Sequence, residues 1–121
     1  MIVKRWGIYR DSLDTVIGSE QGKSRPVLII SDDSTNDLLN IVNVLPLTTR
    51  KAGRHIYPNE VLLAKNEYGL PNDSVVLCHQ TRTLDKQRLS LEYNRVTNLS
   101  KQAEILNALC FQLGIETTTY P

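Results

Sequence analysis

The chain has 121 residues, 40% hydrophobic and 22% charged, which is the balance of one folded domain rather than of a disordered chain. Fourteen Lys and Arg against thirteen Asp and Glu leave a formal charge of +1. Any contact with nucleic acid must therefore come from a local, salt-sensitive basic patch and not from the overall charge.

The opening Met1-Ile2-Val3-Lys4-Arg5-Trp6 has no long apolar core with a cleavage site behind it. No run approaches the roughly 20 apolar residues of a membrane span. The expectation is a cytoplasmic protein with no membrane partner. Cys78 and Cys110 read as small buried hydrophobes of a reducing compartment, in preference to a disulfide. No CxxC or HExxH spacing occurs, so neither metal nor cofactor is expected.

Residues 7–13 alternate as a first strand, and 17–24, with Gly18 and Gly22, read as a loop. The β-branched run of 25–31 predicts a buried strand, with Pro26 at its start where a missing N–H costs least. Residues 31–40 are rich in Asp, Ser and Asn and predict at most one helical turn. Residues 40–49 form another strand, in which Pro46 predicts a bulge or an edge position. A basic loop over 50–55 leads into a shorter strand over 57–63, weakened by Pro58. A turn over 66–73 precedes a strong strand over 74–80. The last element is a helix from about Ser100 to Leu113, with Leu106, Leu109, Cys110 and Leu113 on one face. Asn98 or Ser100 caps it and Gly114 stops it. Strands without long intervening helices predict a β-rich α+β domain, mostly antiparallel, closed by one C-terminal helix.

Polar residues gather at the strand ends: Glu20 to Arg25, then Thr48 and Thr49, then Gln80 to Thr83. The Arg25 fork suits phosphate, and glycines let loop backbone approach a ligand. The ordinary alternative is an Arg paired with Glu20 or Asp85 and a Thr that is simply a strand former. His55 and His79 are the only imidazoles, and no motif links them. Gly18-x-x-x-Gly22-Lys23-Ser24 has the wrong spacing for a P-loop and precedes a strand rather than a helix.

Three ordered blocks carry a more specific signal. Residues 13–31, including Gly18-Ser19-Glu20-Gln21-Gly22-Lys23-Ser24-Arg25-Pro26-Val27, resemble the signature of the MazF/PemK family of toxin endoribonucleases. Residues 42–49 resemble that family's strand ending in Pro-Leu-Thr, and residues 73–89 resemble its D-S-V-x-L-x-x-Q-x-R-T-x-D-K-x-R-L block. The resemblance covers residues 1–114 as a single domain, with 115–121 as a tail.

The resemblance implies a small twisted antiparallel SH3-like barrel (CcdB/PemK-like) with the C-terminal helix packed on it. It implies a homodimer, a single-stranded RNA substrate and a cognate MazE-like antitoxin. The family's chemistry is metal-independent attack by the ribose 2′-OH, leaving a 2′,3′-cyclic phosphate and a 5′-OH. The matching catalytic positions are Arg25 and Thr48. RNA holding falls to Ser19, Glu20, Gln21, Gly22, Lys23, Thr49, Arg54, His55 and Gln80, with Arg50 and Lys51 beside them. The general base stays open between His55, Glu20 and water. Arg82, Thr83 and Asp85 read first as a trio that ties a turn.

Thr15 and Trp6 depart from the family pattern. Trp6 reads as a packing or dimer-interface aromatic in preference to a base-stacking one. The alternatives are a CcdB-like toxin that binds gyrase without cleaving nucleic acid, which would not need Arg25 and Thr48, and an inactive nucleic-acid-binding regulator.

Overall fold

The computed structural model describes residues 2–12 and 24–116, the side chains of 91 and 92 excepted. The predicted loop after the first strand lies almost wholly outside these residues. So do Ser19, Glu20, Gln21, Gly22 and Lys23.

The elements in chain order are β1 (Gly7–Asp11), β2 (Arg25–Ile29), α1 (Asp33–Leu38), β3 (Ile41–Thr49), β4 (Glu60–Leu63), β5 (Ser74–Leu77), β6 (Arg82–Asp85), β7 (Leu89–Arg95) and α2 (Leu99–Leu113). The strands run β4-β5-β3-β2-β1-β7, with β6 also on β3, and every pairing is antiparallel. The result is the expected fold: a sheet curled into a half-barrel and closed by the C-terminal helix.

Strand β3 is the spine. It pairs with β6 over Ile41–Val44, with β2 over Val44–Pro46 and with β5 over Leu47–Thr49. Alternation along β3 splits the core in two. Leu45 and Leu47 pack with Ile8, Leu28 and Val76 beneath Ile105 and Ala108 of α2. Val42 and Val44 face the other way and pack with Tyr9, Val27, Ile29 and Leu84 inside the curl. Each fully buried side chain of this kind stabilises the fold by about 1.5–3 kcal/mol relative to exposure.

Pro46 neither bulges the strand nor places it at an edge. The Ile30 N–H donates to Asn43 O at 3.0 Å, which sets the phase of the β2–β3 ladder. Val27↔Pro46 is then a non-hydrogen-bonded pair, and the Pro46 nitrogen faces away from β2. On that far side β6 pairing ends at Val44 and β5 pairing begins at Leu47. The missing N–H falls in the gap between two partners and breaks neither ladder.

Three other expectations shift. Residues 33–38 form a six-residue helix, more than one turn, because polar side chains cap it. Asp32 accepts from Ser34 N at 3.0 Å, and buried Asn36 donates to Ser31 O at 2.9 Å. In α2 the buried face centres on Ile105 and Ala108, while Leu113 is exposed. Asn98, not Ser100, caps this helix by accepting from Lys101 N at 2.9 Å, and Gly114 ends it in the left-handed region at φ 69°. The strand over 74–80 stops at Leu77, and Cys78–Gln80 form a 3-10 turn.

Trp6 takes a packing role. It is buried in the core beneath α2 and adopts φ 70°, with its N–H donating to Ile29 O at 2.8 Å. Gly7 follows because a Cβ there would sit 3.0 Å from both Lys4 O and the Tyr9 hydroxyl. Both cysteines are free thiols, Cys78 buried and Cys110 half-buried. Burial pushes the Cys78 thiol up to about 11, which keeps it protonated and inert at neutral pH. Among the described residues no helix is long and apolar enough to cross a membrane.

Candidate active site

The two expected catalytic residues lie near the adjoining ends of neighbouring strands, Arg25 at the start of β2 and Thr48 near the end of β3. The β1–β2 ladder ends on the pair Asp11↔Arg25. The β2–β3 ladder runs Ile29↔Val44, Leu28↔Leu45, Val27↔Pro46. Beyond Val27↔Pro46 strand β3 parts from β2 and pairs with β5 from Leu47 onward. Directly opposed residues share a sheet face. Arg25 and Asp11 thus lie on the face of Tyr9, Val27 and Val44, where the curl opens to solvent. Arg25 is exposed and Thr48 half-buried. The backbone of Thr48 is anchored opposite Val75 of β5, and exposed Thr49 lies opposite Ser74.

Asp11 was not foreseen as part of this region. Its side chain is 3% exposed and is gripped by the Arg88 fork, Nε to Oδ1 at 3.0 Å and Nη2 to Oδ2 at 3.1 Å. A second guanidinium, that of Arg82, stands 3.9 Å from Oδ2. Of the trio read as a turn tie, Asp85 fits that role, whereas Thr83 sits in β6 and bonds across the ladder to β3. Thr83 Oγ1 accepts from Asn43 Nδ2 at 3.0 Å, and Asp85 accepts from Gln87 N at 2.8 Å. Asp85 is therefore engaged in its own turn rather than with Arg25. Asp11 did leave a sequence signal: an Asp inside a predicted strand, where that residue type is depleted.

The loop after Thr49 is tied down at several points. Arg50 donates through Nε and Nη2 to Arg54 O at 3.1 and 2.9 Å, and Arg50 N donates to Asp73 O at 2.8 Å. Arg54 in turn holds the buried Glu60 carboxylate with contacts of 3.0 and 2.6 Å and also donates to His55 O at 3.0 Å. Arg54, together with the Tyr57 N–H, holds the Glu60 carboxyl below the usual glutamate range against the opposing cost of burial. His55 is exposed and meets Tyr57 edge-on at 4.7 Å between ring centroids. Arg54 is thus occupied in shaping the loop, whereas Lys51 and His55 project from it. Gln80 is exposed on the 3-10 turn beside His79, 3.3 Å away. Among the described residues no three His, Cys, Asp or Glu side chains converge as a metal-binding group.

A face with one arginine at the start of a strand, one threonine at the end of its neighbour and further guanidinium groups around a single carboxylate is suited to binding a phosphodiester. Comparisons with known proteins agree with the fold. Residues 4–113 match the model of the PemK-like, MazF-like toxins of type II toxin–antitoxin systems. Endoribonuclease MazF of Staphylococcus saprophyticus is 41% identical over 118 residues, covering 96% of this chain and 95% of that protein. The crystal structure of MazE–MazF from Deinococcus radiodurans superposes with a TM-score of 0.76 at 26% identity, over 96% of this chain and 99% of that one. The Mycobacterium tuberculosis toxin MazF-mt6 superposes with a TM-score of 0.74 at 26% identity, over 92% of this chain and 99% of that one. With a family match over nearly its whole length and a relative 41% identical across it, the chain belongs to the PemK-like, MazF-like toxins of type II toxin–antitoxin systems.

Proposed function

We propose that this toxin is an endoribonuclease that cleaves single-stranded RNA without a metal ion, by attack of a ribose 2′-OH on the adjacent phosphate. The enzyme class rests on the family and on the 41% identity to a protein named endoribonuclease MazF. The observation that supports the site is that Arg25, opposite Asp11 on β1, and Thr48, opposite Val75 on β5, lie near the adjoining ends of β2 and β3.

The 2′ oxygen loses its proton and bonds to phosphorus, and the bond to the 5′ oxygen breaks. The 5′ oxygen leaves with a proton. A 2′,3′-cyclic phosphate and a 5′-OH result. Arg25 stabilises the extra negative charge on the phosphorane with two parallel donors, a contribution that is often the largest in such sites. A guanidinium stays protonated and has no lone pair to act as the base, so the 2′-OH proton goes to another acceptor. Thr48 donates its hydroxyl to a non-bridging oxygen and orients the phosphate.

Ser19, Glu20, Gln21, Gly22, Lys23, Thr49, His55 and Gln80 hold the RNA in this reading, and Arg54 contributes by holding the loop that presents His55. Single-stranded RNA is read through splayed bases, so these loop residues rather than the sheet set sequence preference. The active form in this reading is a homodimer restrained by a MazE-like antitoxin, and the Deinococcus radiodurans MazE–MazF structure supports the second partner.

The test is incubation of purified toxin with a long unstructured RNA in EDTA, followed by analysis of the fragment ends. Discrete cuts with cyclic-phosphate ends are expected. Arg25→Ala is expected to lower kcat by about 10²–10³-fold and Thr48→Ala by a smaller factor. Equal cutting by both variants would remove these residues from the mechanism. No cutting by folded, antitoxin-free wild type would turn attention to gyrase binding.

A further inference from the structure

We propose that Arg82 is a second phosphate-binding catalytic arginine, placed beside Arg25 by the buried carboxylate of Asp11. The inference rests on the cleavage reading above and adds a residue to it.

Three observations carry it. First, Arg82 reaches the right place. It pairs with Val44 in the β3–β6 ladder and so shares the face of Val44, Val27 and Arg25. Its Nη1 lies 3.9 Å from Asp11 Oδ2, and Asp11 is the ladder partner of Arg25. Secondly, Asp11 does not need Arg82. Both carboxylate oxygens already accept from Arg88 at 3.0 and 3.1 Å. The 3.9 Å approach of Arg82 lies outside hydrogen-bond range, and with its side chain 46% exposed the attraction to Asp11 is weak. Arg82 is guided by the carboxylate without being consumed by it. Thirdly, charge is left over. Among the described side chains Asp11 cancels one of the three guanidinium charges of Arg25, Arg82 and Arg88, and two remain. The phosphorane carries one more negative charge than the phosphodiester from which it forms. A cation that neutralises the ground-state charge and another that meets the developing one both favour metal-free phosphoryl chemistry, the second in the transition state above all. Arg82 touches a non-bridging oxygen from the β6 side, and Arg25 does so from the β2 side.

The test compares wild type, Arg82→Ala, Arg82→Lys and the double variant Asp11→Asn/Arg82→Ala on one RNA, with kcat, KM and thermal midpoint measured for each. Arg82→Ala is expected to lower kcat about 10²-fold with a thermal midpoint near that of wild type. Arg82→Lys, a point charge without the fork, is expected to fall between the two. If Arg82 served only to neutralise Asp11, removing that charge in the double variant would restore kcat. A kcat in the double variant at or below that of Arg82→Ala, and no higher than that of Asp11→Asn measured beside it, supports the proposal, and recovery above Arg82→Ala overturns it. An unchanged kcat in Arg82→Ala, or a change in KM alone, also overturns it, because the contact would then not strengthen in the transition state. If wild type itself does not cleave, it is the cleavage reading that fails, and the two failures are told apart by that control.

Discussion

Two carboxylates of this protein are buried and gripped by an arginine fork, yet their surroundings differ. Asp11 takes its fork from Arg88, 77 positions away, and the pair joins the end of β1 to the turn before β7. Glu60 takes its fork from Arg54, six positions away, and the pair shapes a single loop. Around Asp11 a further guanidinium approaches without bonding, and Arg25 stands opposite in the ladder. Around Glu60 the remaining groups are used locally, with the Tyr57 N–H on the carboxylate and the Arg54 guanidinium also on His55 O. A long-range pair that leaves positive charge over makes a place for a phosphate. A short-range pair that balances its charge fixes a backbone. Similar hydrogen-bond geometry therefore serves chemistry in one place and shape in the other.

The sharpest way to break this comparison is to delete the carboxylates. Asp11→Ala leaves Arg88 facing a hole at the end of the interior core and removes the guide for Arg82. The expected loss of stability is about 3 kcal/mol, the low end for breaking a buried pair, because Arg88 keeps 29% of its side-chain surface in water. Denaturant unfolding would measure it, and kcat at a temperature where the variant is folded should fall as well. Glu60→Ala should cost less, about 2 kcal/mol, since the carboxylate is lost from charged hydrogen bonds whose other members can turn to solvent. Its kinetic effect should appear in KM rather than kcat, because the loop carrying Lys51 and His55 loosens while Arg25 and Thr48 stay in place. If Glu60→Ala lowered kcat as much as Asp11→Ala, the division between chemistry and shape would be wrong.

The same difference decides what could be read from the sequence. The apolar runs of β2 and β3 announce themselves because they are buried on both faces of a curled sheet. Strand β6 does not, since Arg82-Thr83-Leu84-Asp85 offers a single buried side chain and becomes a strand only by pairing with β3. Strand β7 went unpredicted for a related reason: its place is set by a shifted ladder with β1, and not by a clean alternation of its own. Arg25 and Thr48 were named through a family resemblance, and residue type alone left them ordinary. What no local pattern contains is the phase of the ladders, which places Asp11 opposite Arg25. The Asp11–Arg88 pair depends on that phase and was missed. The Arg54–Glu60 pair is local, but Pro58 lies between its members and breaks the periodicity that would have linked them.

The smallest effect, and the most direct test of charge against shape, lies in acid. Glu60 titrates below the ordinary glutamate value of 4.5, chiefly because Arg54 donates to its charged form, with lesser help from the Tyr57 N–H and the nearby His79. A carboxylate whose folded pKa is depressed contributes stability that is complete above its unfolded value and lost as pH falls through the folded one. The contribution of Glu60 should therefore be whole above about pH 4.5 and fade below it. Asp32 and Asp33 are also held below the usual range, by Ser34 and by the Arg5 N–H respectively, so the acid limb of wild type alone reports all three groups. Glu60→Gln removes one of them and keeps the side chain's size. The stability difference between wild type and Glu60→Gln, followed by chemical denaturation from pH 6 to pH 3, should be constant above 4.5 and shrink below it. A difference that stayed flat through this range would mean that the loop is held by the shape of residue 60 and not by its charge.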